Sequence, residues 1–309
     1  MPSKKTARKN TGTKLEYTFK SDVLFKMLFR EYPHLLKRLV AVLLEIPLES
    51  ISHFSITNTE MPPEEIGKKF CRLDINMIVD DKRVNLEIQV EDEGNYPERT
   101  LYHFARICSA SLPAGDDYSL LPRTIIISII DFELFDCEEL HSDFQLLEVK
   151  RHTRLTDKCG LHFFELPKMK DVESIDIGSE KELWLALFNA ETEEELETLT
   201  KNGGAVMSEA IEAYRGVTAT EQFRNLEWLR AKTRHDEAQA LGNAKRQRDK
   251  HWQGVVAEKD AALAHNKVAL ADKDAALADK EAALADKDAA LTEQAARIAE
   301  LEAQLSSRK

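Results

Sequence analysis

Arg72-Leu-Asp-Ile-Asn-Met-Ile-Val79, a polar Asp80-Asp81-Lys82-Arg83, and then Val84-Asn-Leu-Glu-Ile-Gln-Val90 form the stretch that decides the fold. Both outer runs alternate. Leu73, Ile75, Met77 and Val79 share one face of the first, and Val84, Leu86, Ile88 and Val90 share one face of the second. A period of two marks a half-buried strand, so the segment predicts a β-hairpin with its apolar side on a core. The other side, carrying Asp74, Glu87 and Gln89, reads as a solvated face. With Val79 and Val84 flanking the turn, Asp74 lies across from Gln89 and diagonal to Glu87, at about 5 and 7–8 Å. Two carboxylates that close repel unless they share a proton or a cation. A hard divalent cation such as Mg²⁺ suits them, because it takes carboxylate, carbonyl and water oxygens.

Outward from the hairpin, Ser21 caps a helix whose Val23, Leu24, Met27 and Leu28 recur at helical spacing. Pro33 breaks or restarts it, and a second helix runs from about His34 to Leu44, ending at Ile46-Pro47. Met61-Pro-Pro63 and Gly67 mark a loop before the hairpin. Arg99 to Leu112 reads as an amphipathic helix closed by Pro113-Ala-Gly115. Thr124 to Ile130 is β-branched on both faces, which predicts a strand covered on both sides by helices. A strand near Leu161–Leu166 follows, and from Ser179 onward the pattern is helical. Strands interleaved with helices predict one α/β domain with a small mixed sheet.

The spacing Asp74, twelve residues, Glu87-x-Gln89 resembles the metal core of the PD-(D/E)XK nuclease superfamily, with Gln89 where a lysine is usual. Phe19-Lys-Ser-Asp-Val-Leu-Phe-Lys-Met-Leu-Phe29 is similar to the opening helix of the Rpn recombination-promoting nucleases, also described as transposases. Arg99-Thr-Leu-Tyr102, Ser128-Ile-Ile-Asp-Phe132 and Leu161-His-Phe-Phe-Glu-Leu-Pro-Lys168 match that family too. The resemblance spans roughly residues 14–170 and continues more weakly through Trp184 to about Asp236.

The resemblance implies a restriction-endonuclease-like α/β core, a small mixed sheet flanked by helices, and a Mg²⁺-dependent endonuclease cutting DNA in recombination or mobile-element movement. In the implied site Asp74, Glu87 and the backbone carbonyl of Ile88 hold Mg²⁺ or another divalent cation, which acidifies a water and neutralises charge on the scissile phosphate. Gln89 can orient that water by hydrogen bonding but lacks the charge and the titratable proton of lysine. Asp22 either completes the metal shell or is an ordinary first-turn acid favoured by the helix macrodipole. Arg99 and Tyr102 either contact a phosphate or anchor their helix to the sheet. A rival reading is a catalytically inactive, transposon-derived protein that binds DNA or pairs through its tail.

Over 309 residues the net charge is −12, which at first argues against a nucleic-acid partner. The charge is uneven, however. Lys4, Lys5, Arg8, Lys9 and Lys14 form a basic arm, and Arg230, Lys232, Arg234, Lys245, Arg246, Arg248 and Lys250 form a second basic stretch. Either stretch also reads as a solvated segment. Cys71, Cys108, Cys137 and Cys159 are scattered with no CxxC pair, as expected of reduced thiols in a cytoplasmic protein. Ile125-Ile-Ile-Ser-Ile-Ile130, the longest apolar run, is too short to span a bilayer. No Walker loop or dinucleotide fingerprint is present, so no nucleotide cofactor is expected.

Leu263, Leu270, Leu277, Leu284, Leu291, Ile298 and Leu305 fall every seventh residue, and three consecutive units read nearly alike as Ala-Asp-Lys-(Asp/Glu)-Ala-Ala-Leu. Such a heptad predicts a coiled coil and a homo-oligomer, most simply a dimer. The seam is weak in the middle, where Lys273, Lys280, Lys287 and Gln294 occupy the second core position and only Leu301 completes an apolar pair. The expected organisation is a flexible basic arm at 1–14, a nuclease-like core at 15–170, a helical extension at 171–250 and a coiled-coil tail at 251–309.

Overall fold

A computed structural model describes residues 12–57, 60–61, 71–72, 75–172 and 174–306. The chain divides into two units, residues 1–231 and 232–309. In chain order the described elements are α1 (Asp22–Glu31), α2 (Pro33–Leu43), β1 (Phe54–Ile56), β2 (Glu60–Met61), β3 (Cys71–Arg72), β4 (Ile75–Val79) and β5 (Lys82–Gln89). They continue as α3 (Tyr96–Ala110), β6 (Thr124–Ile130), β7 (His141–Phe144), β8 (Cys159–Glu165), α4 (Glu180–Asn189), α5 (Glu193–Asn202), α6 (Gly204–Thr218) and α7 (Glu221–Ser306). The result is an α/β fold with one six-stranded sheet, order β1-β4-β5-β6-β8-β7, and a separate β2-β3 pair. The large sheet is mixed: β5, β6 and β8 are parallel, whereas β1 on β4, β4 on β5 and β7 on β8 are antiparallel.

The hairpin forms, with a tighter turn than the sequence suggested. Val79 pairs with Lys82 rather than Val84, leaving only Asp80 and Asp81 in the turn. Asp80 takes φ +54°, a left-handed conformation that Asp tolerates and that two-residue hairpin turns demand. Its Oδ1 accepts hydrogen bonds from Ser52 N, Ser52 Oγ and His53 N, each at 2.9 Å. Those donors favour the ionised form and hold the carboxyl below its usual pKa, the His53 backbone contributing most. Because the register differs from expectation by two residues, an even number, the apolar side is unchanged while the cross-strand partners are not. Ile75 now faces Leu86, and Met77 faces Val84.

Both faces of the sheet are covered, and β6 shows why the sequence alternates so little there. Ile125, Ile127 and Ile129 join the main core, shared with Phe29 of α1, Leu36 of α2 and Trp184 of α4. Ile126 instead packs with Ile107, and Ile130 clusters with Phe163 and Tyr96, so α3 closes the opposite face. Helices α4–α6 and Phe223 of α7 belong to the same main core as α1 and α2. Local signals set the helix starts: Ser21 Oγ accepts from Leu24 N, Ser179 Oγ from Glu182 N, and Thr192 with Glu195 forms a capping box before α5.

The short edge strands β1 and β7 have too few alternations for sequence to reveal them. The expected loop at Pro62–Gly67 lies outside the described residues. In the second unit α7 continues as a single helix, with Leu263, Leu270, Leu277, Leu284, Leu291 and Ile298 each 56–62 % exposed. No helix among the described residues is long and apolar enough to cross a membrane.

Candidate active site

Glu87 is the centre of the site, and it is not on a solvated face. Its residue is 1 % exposed because α3 lies over this side of the sheet. Tyr96, Thr100, His103 and Ile107 are the buried residues of α3, spaced four, three and four apart along one stripe. His103 is thereby turned onto Glu87, with Nδ1 2.6 Å from Oε1. A carboxylate can only accept, so Nδ1 carries the proton in this contact. Glu87 Oε2 is buried with no hydrogen-bond partner among the described residues, and so is Ser128 Oγ. Glu87 and Ser128 are register partners on β5 and β6, placing a hydroxyl beside the carboxylate on a face otherwise occupied by Ile126 and Ile130. A buried oxygen left without a donor costs free energy unless a water or ion meets it.

Gln89, two residues on, is fully engaged. Arg99 Nη1 donates to its Oε1 at 3.0 Å, and its Nε2 donates to Glu91 O at 2.9 Å. Those partners fix the amide orientation, since a guanidinium cannot accept and a carbonyl cannot donate. Of the two roles open to Arg99, the geometry displays the anchoring one: it ties α3 to the end of β5, with its guanidinium also 5.7 Å from the Tyr96 ring centre. Tyr102 is 38 % exposed, its ring 6.3 Å from that of His103.

Asp74 and its side-chain geometry lie outside the described residues. Asp22 sits in the first turn of α1, with Oδ1 2.6 Å from Lys26 Nζ and Oδ2 3.5 Å from Arg230 Nε. Cations therefore flank both of its oxygens. Among the described residues no three His, Cys, Asp or Glu side chains are grouped as a metal site. Carboxylate oxygens are donors of the kind a hard cation takes, and Glu87 Oε2 is buried with no hydrogen-bond partner among the described residues.

Motif spacing does not single out His103, which has no ligand partner along the sequence. Its place on the inward stripe of a predicted helix, beside Thr100 and before Ile107, is nevertheless a usable signal. Lys20 is equally silent in the sequence. Its Nζ is 2.9 Å from Asp131 Oδ1 and 3.6 Å from Glu191 Oε1, and Asp131 N donates to Gln89 O at 2.9 Å. Two carboxylates already balance this ammonium, so it does not simply replace the lysine that Gln89 lacks. Glu165, in the last of the matched motifs, is structural: it accepts from Leu134 N at 2.6 Å and pairs with Lys168 at 2.7 Å.

A second histidine pair stands apart from Glu87, on the β7–β8 edge. His141 Nε2 and His162 Nδ1 are 3.1 Å apart, and His141 stacks on Phe164 with ring centres 4.2 Å apart. Burial lowers both pKa values; Asp143 and Glu45 oppose the shift, while Lys181 reinforces it at His141 and Arg123 at His162. With folded values below the ordinary 6.5, the unfolded chain takes up protons first as pH falls. The stability that depends on neutral imidazoles is therefore complete above pH 6.5 and declines below it. His141→Phe is expected to flatten this acid-side decline, measured as the difference in urea midpoint between wild type and variant from about pH 7 to 5.

A mixed sheet with a buried strand glutamate under a covering helix is consistent with the PD-(D/E)XK nuclease fold. The family model for PD-(D/E)XK nuclease family transposases matches residues 19–244, and the chain belongs to that family. Neither curated proteins nor solved structures give a significant match to the chain.

Proposed function

We propose that the protein is a divalent-cation-dependent DNA endonuclease of the recombination-promoting type, with Asp74 and Glu87 as the carboxylates that hold the cation. The observation that carries the reading is the state of Glu87: buried, oriented by His103 through one oxygen, and unpartnered among the described residues at the other. Ile88 follows on the same strand with its backbone carbonyl as a third oxygen. When bound, Mg²⁺ or a similar ion supplies charge neutralisation at the scissile phosphate and a lowered pKa of water. His103 holds the Glu87 rotamer, and α3 keeps bulk water from its inner oxygen. Supercoiled plasmid incubated with Mg²⁺ is expected to be nicked or linearised, and to stay intact in EDTA; intact plasmid under both conditions would refute the enzyme.

An inactive DNA-binding or interaction protein is the second reading, favoured by one specific feature. Gln89 spends both ends of its amide on Arg99 and Glu91. In the active reading this pairing opens when DNA arrives, freeing Gln89 for water. Gln89→Ala is then expected to lower the cleavage rate about 10- to 1000-fold. Gln89→Lys alone sets an ammonium against Arg99, so its activity is expected to rise when Arg99→Gln is added. Initial nicking rates of the single and double variants measure both effects, and equal rates in wild type and Gln89→Ala would remove Gln89 from the chemistry.

A further inference from the structure

Between β7 and β8 the chain makes an excursion whose surface is both basic and apolar. Leu147 and Arg154 form an isolated antiparallel bridge, and Leu155 N donates to Leu146 O at 2.9 Å. At the tip, Glu148 Oε2 accepts from Lys150 N at 3.2 Å and Arg151 N at 2.6 Å. Glu148 N in turn donates to Thr153 O at 2.9 Å. The arm is therefore an ordered hairpin, and Glu148 is held by its own backbone and by Arg151, whose Nε lies 3.5 Å from Oε2. Lys150, Arg151, His152 and Arg154 are exposed around the tip. Val149 and Leu155 stand among them at 88 % and 79 % exposure, so apolar side chains are interleaved with the cations at the tip.

The positive charge extends from the arm across the adjoining sheet end. Arg83 N donates to Arg123 O at 2.8 Å and Thr124 N to Lys158 O at 2.9 Å, so half-buried Arg83 in β5, and Arg123 and Lys158 just before β6 and β8, gather at one end of the sheet, with Arg123 and Lys158 on the face opposite Arg83. Strand spacing puts their backbones about 5 Å apart. Asp80, Asp81, Asp116, Asp117 and Asp157 are the acids nearby in sequence; Asp80 is occupied by Ser52 and His53, and Asp143 faces His162 at 3.8 Å. In a chain of net charge −12, a hairpin that carries Lys150, Arg151, Arg154 and Lys158 against only Glu148 and Asp157 is a local reversal of sign.

Resting on the nuclease reading above, we propose that the 145–158 hairpin is an arm that engages the backbone of duplex DNA held at Glu87. Charge complementarity selects the occupant, since phosphates meet the cations while sugars and base edges accept an apolar tip.

The test uses the full chain with Lys150, Arg151 and Arg154 all changed to Gln, and a fluorescein-labelled duplex of about 30 base pairs in EDTA, where no cutting occurs. Anisotropy titrations at several salt concentrations are expected to show binding weakened about 10- to 100-fold. The salt slope should become shallower by up to about 0.9 for each phosphate that the arm ceases to neutralise. Circular dichroism and the thermal midpoint should match wild type, because these side chains are exposed. Unchanged affinity and slope would overturn the arm while leaving Mg²⁺-dependent plasmid cleavage by wild type, and so the nuclease reading, standing. Absence of duplex binding by wild type would overturn the arm, and intact plasmid beside it would remove the nuclease reading too. DNA affinity kept but self-association abolished in light scattering would reassign the hairpin to a second copy of the chain.

Discussion

Glu87→Gln is expected to abolish Mg²⁺-dependent plasmid cleavage, a loss of at least about 1000-fold, in a protein that remains folded. The amide has the volume of the carboxylate, and its oxygen can still accept from His103 Nδ1, so the 2.6 Å contact has a neutral successor. What disappears is the negative charge at Oε2. Asp74→Asn is expected to give the same loss for the same reason. Glu87→Ala is a poorer experiment, because it strands a buried histidine donor at a cost of about 1–3 kcal/mol and confuses folding with chemistry. Cleavage rates are read beside thermal midpoints and beside Tb³⁺ luminescence, which reports cation binding without catalysis. Cleavage by Glu87→Gln within about tenfold of wild type would take Glu87 out of the site.

Alternation made the hairpin legible, and the even two-residue difference in register left its apolar side intact. The error lay on the other side. Polar residues at Asn85, Glu87 and Gln89 read as a solvated face, yet Asn85 and Glu87 are fully covered. The strand's own pattern cannot say whether a helix will pack over polar residues; that is decided by α3, where Tyr96, Thr100, His103 and Ile107 form one stripe. The burial of Glu87 and the inward turn of His103 are thus one fact seen from two elements. Strand β6 gave the opposite lesson, since its isoleucines on both sides of the strand correctly implied cover on both faces. Gln89 could be named from the motif, but its engagement with Arg99 depends on how α3 meets the strand end, which sequence does not specify. Asp22 shows the same limit, because its neighbour Arg230 is more than two hundred residues away along the chain.

Removing the tail before Val255 is expected to convert a dimer into a monomer while Mg²⁺-dependent nicking survives. The heptad leucines from Leu263 to Leu291 stay 56–62 % exposed on α7, so nothing among the described residues covers them. A lone helix gains little from such a stripe, whereas two copies in register would bury it and bring Lys273, Lys280 and Lys287 toward acids such as Asp274 of the partner subunit. Lysine at the second core position weakens the pairing, so most of the stability should lie near Ile298 and Leu301. That makes Leu301→Asp a sharper probe than any change in the central repeats. Light scattering at about tens of micromolar, where a weak association is populated, should report half the full-length mass for Leu301→Asp and about two fifths of it for the truncated chain, which also lacks residues 255–309. The nuclease unit, whose core closes with Phe223 at the start of α7, should keep its fold and nick plasmid one strand at a time. A full-length protein already monomeric at that concentration, or an oligomer untouched by truncation, would show that the heptads serve something other than self-pairing.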